Sequence, residues 1–298
     1  MTDYLERIRQ AFPSLPLDSV RINSDGLVND VVIVNNARVF RFPKTEDGKA
    51  AMAREARALD LIRRYVELPI PAYHHLEADF AAYDLIPGEP LFRNDFLRQD
   101  RAAQNRITAQ LGGFLRQLHS IPLAEAEAVF GVYDGGATHD DWLRFYESVE
   151  RELFPLMMSP TRAWVKAHFA PLLSDPHFLA RTPSVIHDDL AQYHILVDPA
   201  AWTLTGIIDF GTARLGDPAA DYGMIINVYG ESFLARLAEH APLIADTIDR
   251  ARFYAGALEL QWLRGGVRAN DFSWLTAHID RARDVQPVGA PLNQKSEP

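Results

Sequence analysis

Apolar residues recur along the chain with two periods, and the switch between them divides it. Leu5, Ile8 and Phe12 share one face at helical spacing and Pro13 ends the pattern, which predicts a helix over 4–12. Short runs at 20–22, 31–34 and 39–42 then read as antiparallel strands, with Asn35-Asn36 as a tight turn. Met52, Ala56 and Leu59 place a helix over 47–65, and 80–86 reads as a strand ending at Pro87-Gly88-Glu89-Pro90. Beyond that point helical spacing dominates. Ile107, Leu111, Phe114 and Leu118 mark a helix over 102–121, closed by Pro122, and Thr138-His139-Asp140-Asp141 opens another as an approximate capping box. Further helices are expected over 162–173, 217–229, 231–240, 243–263 and 272–283. Two short apolar runs break this trend: 195–197 and 204–208 read as paired strands joined by a turn at Asp198-Pro199. The pattern predicts an α+β chain. A small antiparallel-β part with one main helix spans 1–86, a larger and mostly helical part spans 87–285, and 286–298 is a loose polar tail.

Composition narrows the setting. With 298 residues, 48 % apolar and 23 % charged, the chain can bury a large core. The first twelve residues include Asp3 and Glu6 and lack the apolar stretch of a signal peptide, and no apolar run reaches membrane-spanning length. The absence of cysteine excludes disulfides and thiol catalysis and fits a cytoplasmic setting. The formal charge of −10 is uneven: residues 1–88 carry −2 and residues 89–298 carry −8. An acidic second half argues against nucleic acid and would attract a cationic small molecule.

The candidate chemistry lies in the stretch that holds the late strand pair. His187-Asp188-Asp189 precedes the first run and Asp209-Phe210-Gly211 follows the second. A hairpin would bring Asp189, His194 and Asp209 to the mouth of one cleft. Gathered carboxylates repel one another unless a cation or proton compensates, so the arrangement points to a divalent metal with a phosphate substrate.

This layout resembles the aminoglycoside phosphotransferase family, relatives of the protein kinases. Shared features are H-x-D, a metal-ligand position five residues after the Asp, and D-F-G. Most members read HGDLxxxN; this chain reads His187-Asp188-Asp189-Leu190-Ala191-Gln192-Tyr193-His194. Histidine at the asparagine position is similar to aminoglycoside 2″-phosphotransferases and macrolide 2′-phosphotransferases. Gly216-Asp217-Pro218-Ala219-Ala220-Asp221 fits the family's GDPxxD, and the resemblance runs over roughly 20–270.

The resemblance implies a bilobal kinase-like fold, Mg²⁺, and GTP or ATP as co-substrate. It implies that Asp189 takes the acceptor's proton, that Asp209 and His194 contact metal, and that His187 braces the loop. Asp217 would cap a helix and Asp221 would anchor the catalytic loop. Arg41 stands where kinase-like proteins place a phosphate-binding lysine, with Glu55 as its partner and Lys44 or Lys49 as alternatives. Ser24 and Gly26 lie in the loop that corresponds to the glycine-rich loop. Tyr83, Asp84 and Ile86 fall at the base-binding hinge, where a bulky Tyr83 fits GTP use. Asn227, Glu231 and Glu259 are candidate acceptor contacts, while Trp262, Trp274 and Phe253 would wall in a macrolide. The implied activity is transfer of a γ-phosphate to a hydroxyl of a small-molecule antibiotic, aminoglycoside ahead of macrolide, by a monomer or weak dimer. A metabolic hydroxyl kinase and a nucleotide-binding protein without turnover are the alternatives.

Overall fold

Asn35 and Asn36 adopt positive φ of 54° and 49° and reverse the chain between the first long strands, a conformation asparagine tolerates better than most residues. In the computed structural model, which describes residues 2–24, 26, 28–271 and 288–289, the N-terminal part is an antiparallel sheet. Helix α1 (Thr2–Ala11) precedes β1 (Val20–Asn23), β2 (Asn29–Val34) and β3 (Arg38–Pro43). Helix α2 (Glu46–Ile62) starts on Thr45, whose side chain accepts the Gly48 amide. Strands β4 (His75–Leu76) and β5 (Ala81–Asp84) complete a five-stranded sheet in the order β1-β2-β3-β5-β4. Ile8, Val32, Val34, Phe40, Phe42 and Phe80 form its core.

The C-terminal part is helical. It comprises β6 (Glu89–Pro90), α3 (Arg93–Leu97), α4 (Arg101–His119), α5 (Leu123–Phe130), α6 (His139–Glu152) and α7 (Ser159–Ser174). Strands β7 (Ser184–Ile186), β8 (Ile195–Asp198), β9 (Thr203–Ile207) and β10 (Arg214–Gly216) follow, then α8 (Ala219–Tyr229), α9 (Glu231–Leu237) and α10 (Leu243–Arg268). One apolar core joins α2, α4, α5, α8, α9 and the late strands, and a second joins α6, α7 and α10 around Phe169 and Phe253. The capping box at Thr138 forms with Asp141.

Several boundaries differ from expectation for identifiable reasons. The strand expected over 80–86 is Ala81–Asp84, and the Leu85 amide prolongs its pairing with β3 by one bond to the Ala37 carbonyl at 2.7 Å. Helix α8 begins at Ala219, not 217, because the Asp217 carboxylate accepts the Ala219 amide. Helix α9 stops at Leu237 and α10 continues to Arg268. The short elements α3, α5, β7 and β10 carry too few residues for a period to register. The helix expected over 272–283 lies outside the described residues, as does the tail apart from Val288 and Gly289.

Candidate active site

Strands β8 and β9 pair antiparallel, and β7 pairs with β10, so the loops before β8 and after β9 open at the same place. Asp188 and Asp209 both sit at φ 65°. For residues other than glycine this backbone costs on the order of 1–3 kcal/mol unless its surroundings hold it. Asp221 supplies the hold for the first: its carboxylate accepts the amides of His187 at 3.1 Å and Asp188 at 2.8 Å. Asp221 is fully buried and also meets His119 Nε2 at 2.9 Å. Burial alone would raise its pKa, but the His119 bond and charge, His187 and the Asp188 amide outweigh that and hold it below the ordinary carboxylate value.

The two loop histidines are fixed in opposite senses. His187 accepts the Asp189 amide on Nδ1 at 3.3 Å and donates from Nε2 to the Ile208 carbonyl at 3.1 Å. Burial pushes its pKa down and keeps the ring neutral. His194 donates from Nδ1 to the Asp189 carbonyl at 2.8 Å, because a carbonyl can only accept. Its Nε2 lies 3.5 Å from Asp209 Oδ2 and is the ring nitrogen left for a metal in the neutral tautomer. The Asp189 carboxylate lies 3.6 Å from His194 Nδ1, and burial raises its pKa against the pull of both histidines. Asp189, His194 and Asp209 are thus brought together, half-buried and partly open to solvent.

Arg41 closes this cluster from the sheet. From β3 it donates to Glu55 on α2 at 2.7 Å, to the Tyr73 hydroxyl at 3.0 Å and to Asp209 Oδ1 at 3.4 Å. Glu55 also accepts the Phe210 amide at 3.2 Å, tying α2 to the segment that carries Asp209. Burial raises the Glu55 pKa and the Arg41 charge opposes it. Lys44 is committed elsewhere, donating to the carbonyls of Ser24 and Gly26 and pairing with Asp30 at 3.3 Å, and Lys49 pairs with Glu46. Ser24 and Gly26 are exposed at the rim of the sheet.

At the hinge, Tyr83 is buried and packs on Tyr73 with ring centroids 5.6 Å apart, while Asp84 is exposed and Ile86 half-buried. A side chain at Gly206 in β9 would collide with the Pro69 carbonyl and with Ile86, so this glycine permits the hinge to lie against the hairpin. The Leu85 amide is held by Ala37, which removes it from the hinge's free donors.

The helical side departs further from expectation. Glu231 does not face a cleft: it is buried in an ion pair with Arg252, itself fully buried. Phe253 is a core residue with no exposure, packed against Trp142 and His168, and so forms no outer wall. Trp274 lies outside the described residues. Asn227 donates to Glu259, joining α8 to α10 with both side chains largely covered. Asp217 caps α8 through Ala219 and also accepts Arg250 Nε at 2.8 Å and the Tyr254 hydroxyl at 3.2 Å. Sequence reasoning missed the bond from His119 to Asp221, Tyr73, Arg250 and the Arg214–Asp188 pair. Only the last left a trace, an aspartate at 188 where the resembled motif has glycine.

Among the described residues, no three or more His, Asp or Glu side chains gather in metal-holding geometry, and no helix is long and apolar enough to cross a membrane.

Known proteins share this chain's sequence and fold. Viomycin phosphotransferase of Streptomyces vinaceus is 28 % identical over 217 residues, covering 69 % of this chain and 72 % of that protein. Protein YcbJ of Bacillus subtilis strain 168, uncharacterised, is 23 % identical over 237 residues, covering 75 % and 74 %. The GDP complex of wild-type aminoglycoside 2′-phosphotransferase-IIIa superposes with a TM-score of 0.82 at 27 % identity, covering 94 % of this chain and 96 % of the other. A type I macrolide 2′-phosphotransferase shares the fold at a TM-score of 0.70 and 21 % identity, covering 93 % and 95 %. The fold is therefore kinase-like, and residues 19–254 match the model of the phosphotransferase enzyme family, APH, to which this chain belongs.

Proposed function

We propose that this phosphotransferase moves the γ-phosphate of GTP or ATP to a hydroxyl of a polycationic antibiotic, an aminoglycoside foremost. The observation that carries the reading is the convergence of Asp189, His194 and Asp209, with Arg41 reaching the same point from the sheet. Asp189 is the base: its raised pKa suits a group that must accept a proton from an alcohol, and nothing covalent is required of it. Arg41, held by Glu55, offers a fixed charge to the phosphates, and its planar fork suits their oxygens. The half-exposed Asp209 carboxylate is an oxygen donor that suits Mg²⁺, and His194 Nε2 would be a second contact that departs from the oxygen ligands this ion prefers. The ion would neutralise phosphate charge during transfer. His187 and Asp221 hold the loop that aims Asp189. In this reading Tyr83, buried against Tyr73, would restrict the base pocket in favour of GTP, with Asp84 and Ile86 at its border.

The lobes divide at residues 86 and 87, with nucleotide binding before and acceptor binding after. Cytoplasmic nucleotide pools place the reaction inside the cell. In this reading the Asn227–Glu259 pair between α8 and α10 would border the acceptor side, and a charge of −10 favours a cationic acceptor. The relative named for viomycin supports a peptide antibiotic as a second reading within the same polycationic class. A coupled nucleotide-consumption assay over aminoglycosides, viomycin, macrolides and small alcohols, with GTP and ATP in parallel, tests both. Consumption on a basic antibiotic, abolished by Asp189→Ala with nucleotide affinity retained, is the expected result. Turnover surviving in Asp189→Ala would remove the assigned base.

A further inference from the structure

A cavity of about 440 Å³ lies between the first half of α4 and α9, sharing no lining residue with the cleft around Asp189. Arg101, Arg106 and Arg236 line it, and Glu239 is the sole carboxylate among its described lining residues. On a chain of net charge −10 this concentration of guanidinium runs against the average surface. None of the three arginines makes an ion pair with another described residue. Arg236 donates to the neutral amide oxygen of Gln104, and Arg106 to the Ala201 carbonyl at 3.3 Å. Burial and the neighbouring Arg101 push the Arg236 pKa below its ordinary value, so like charges face each other across the hollow. Guanidinium groups that converge on a concave surface and bond only neutral oxygens keep donors and charge available for an oxyanion. Asn105, on the same wall, adds an uncharged hydrogen-bonding side chain.

We infer that this α4–α9 hollow binds a diphosphate group, as a second anion site separate from the phosphotransfer cleft. A diphosphate matches the site in charge, since three guanidiniums against one carboxylate leave a net of two positive charges. It also matches in size, because the volume exceeds what a single phosphate would fill. Free pyrophosphate and the diphosphate of a nucleotide share this chemistry.

Calorimetric titration of inorganic pyrophosphate into the full chain tests the site. Three proteins are compared: wild type, Arg101→Gln/Arg236→Gln, and Asp209→Asn as a variant altered in the cleft alone. The expected result is one pyrophosphate site retained in Asp209→Asn and weakened at least tenfold in the double arginine variant. Should loss of the Gln104 bond keep Arg236→Gln from folding, Arg101→Gln/Arg106→Gln carries the same test on exposed side chains. Pyrophosphate binding that is unaffected by either arginine pair, or abolished by Asp209→Asn alone, would overturn the assignment. A parallel GDP titration separates the sources. Two GDP sites in wild type and one in the arginine variant identify a nucleotide, whereas one GDP site in both identifies the free anion.

Discussion

The Nδ1–H of His194 donates to the backbone carbonyl of Asp189 at 2.8 Å, so the ring five positions after Asp189 is oriented by the main chain of Asp189. This bond turns the imidazole so that Nε2 faces Asp209 at 3.5 Å. An imidazole is a softer donor than an amide oxygen and tolerates manganese better relative to magnesium. Replacing His194 with Asn is expected to shift the ratio of rates with Mg²⁺ and Mn²⁺ toward Mg²⁺. His194→Ala should lower turnover about 10–100-fold with either ion, the usual scale for losing a metal-site partner. Steady-state rates at matched free metal measure both. An unchanged metal ratio in His194→Asn would separate His194 from the ion.

Asp188 combines a left-handed backbone with an ion pair to Arg214 Nε at 2.7 Å, linking the loop before β8 to β10. Substitution should separate these two duties. Asp188→Gly keeps the φ of 65° without strain but loses the pair, and Asp188→Asn keeps both the backbone preference and a polar side chain. Asp188→Ala loses both and should be the least stable, by about 1–2 kcal/mol relative to Asp188→Gly. Thermal melts rank stability and turnover ranks the aim of Asp189. Equal losses in Ala and Gly variants would show that backbone strain plays no part.

The halves of the site differ in how far the sequence disclosed them. The pairing of Arg41 with Glu55 was readable because both sit on apolar-periodic elements that fix which face each occupies. The hairpin beside His194 was readable because two short apolar runs flanked a turn. Glu231 was misplaced because a glutamate among apolar residues looks the same whether it faces a cleft or meets a buried arginine. Arg252 lies twenty-one positions away, and no local pattern joins them. The His119–Asp221 bond was hidden for the same reason: the partners are 102 residues apart, and only the placing of the end of α4 beside the start of α8 brings them together. Local periodicity discloses faces, while long-range polar pairing depends on tertiary contacts that no window contains.

The buried Arg41–Glu55 pair makes a further prediction. Removing one partner leaves the other charge buried, a loss of about 3–5 kcal/mol in comparable pairs. Glu55→Gln should therefore destabilise the fold as well as loosen Arg41. Arg41→Lys retains the charge but has a single ammonium where the guanidinium now reaches Glu55, Tyr73 and Asp209 together. It should unfold at slightly lower denaturant concentration and bind nucleotide roughly tenfold more weakly, about 1.4 kcal/mol. Urea unfolding and nucleotide titration give the two numbers. A Glu55→Gln protein as stable as wild type would deny the pair its structural role.

Away from the site, His168 on α7 sets an acid limit to stability. Its ring stacks on Phe253 with planes 4° apart and on Trp164 at 17°, and its Nε2–H donates to the Phe253 carbonyl at 3.0 Å. Gly256 makes room for it, since a Cβ there would strike the imidazole. Burial pushes the His168 pKa from 6.5 down to about 4, with the carbonyl bond opposing in part. The unfolded chain thus takes up this proton before the native one does, so the contribution is complete above pH 6.5 and lost as pH falls toward 4. Allowing for the ring's partial solvent contact, the loss is about 1–3 kcal/mol. His168→Phe keeps an aromatic ring between Trp164 and Phe253 but cannot titrate. It should be about 1 kcal/mol less stable at neutral pH through the missing hydrogen bond, and less sensitive to acid below it. Urea unfolding at half-unit steps through this window compares the two slopes, and equal slopes would show that another group governs the acid limit.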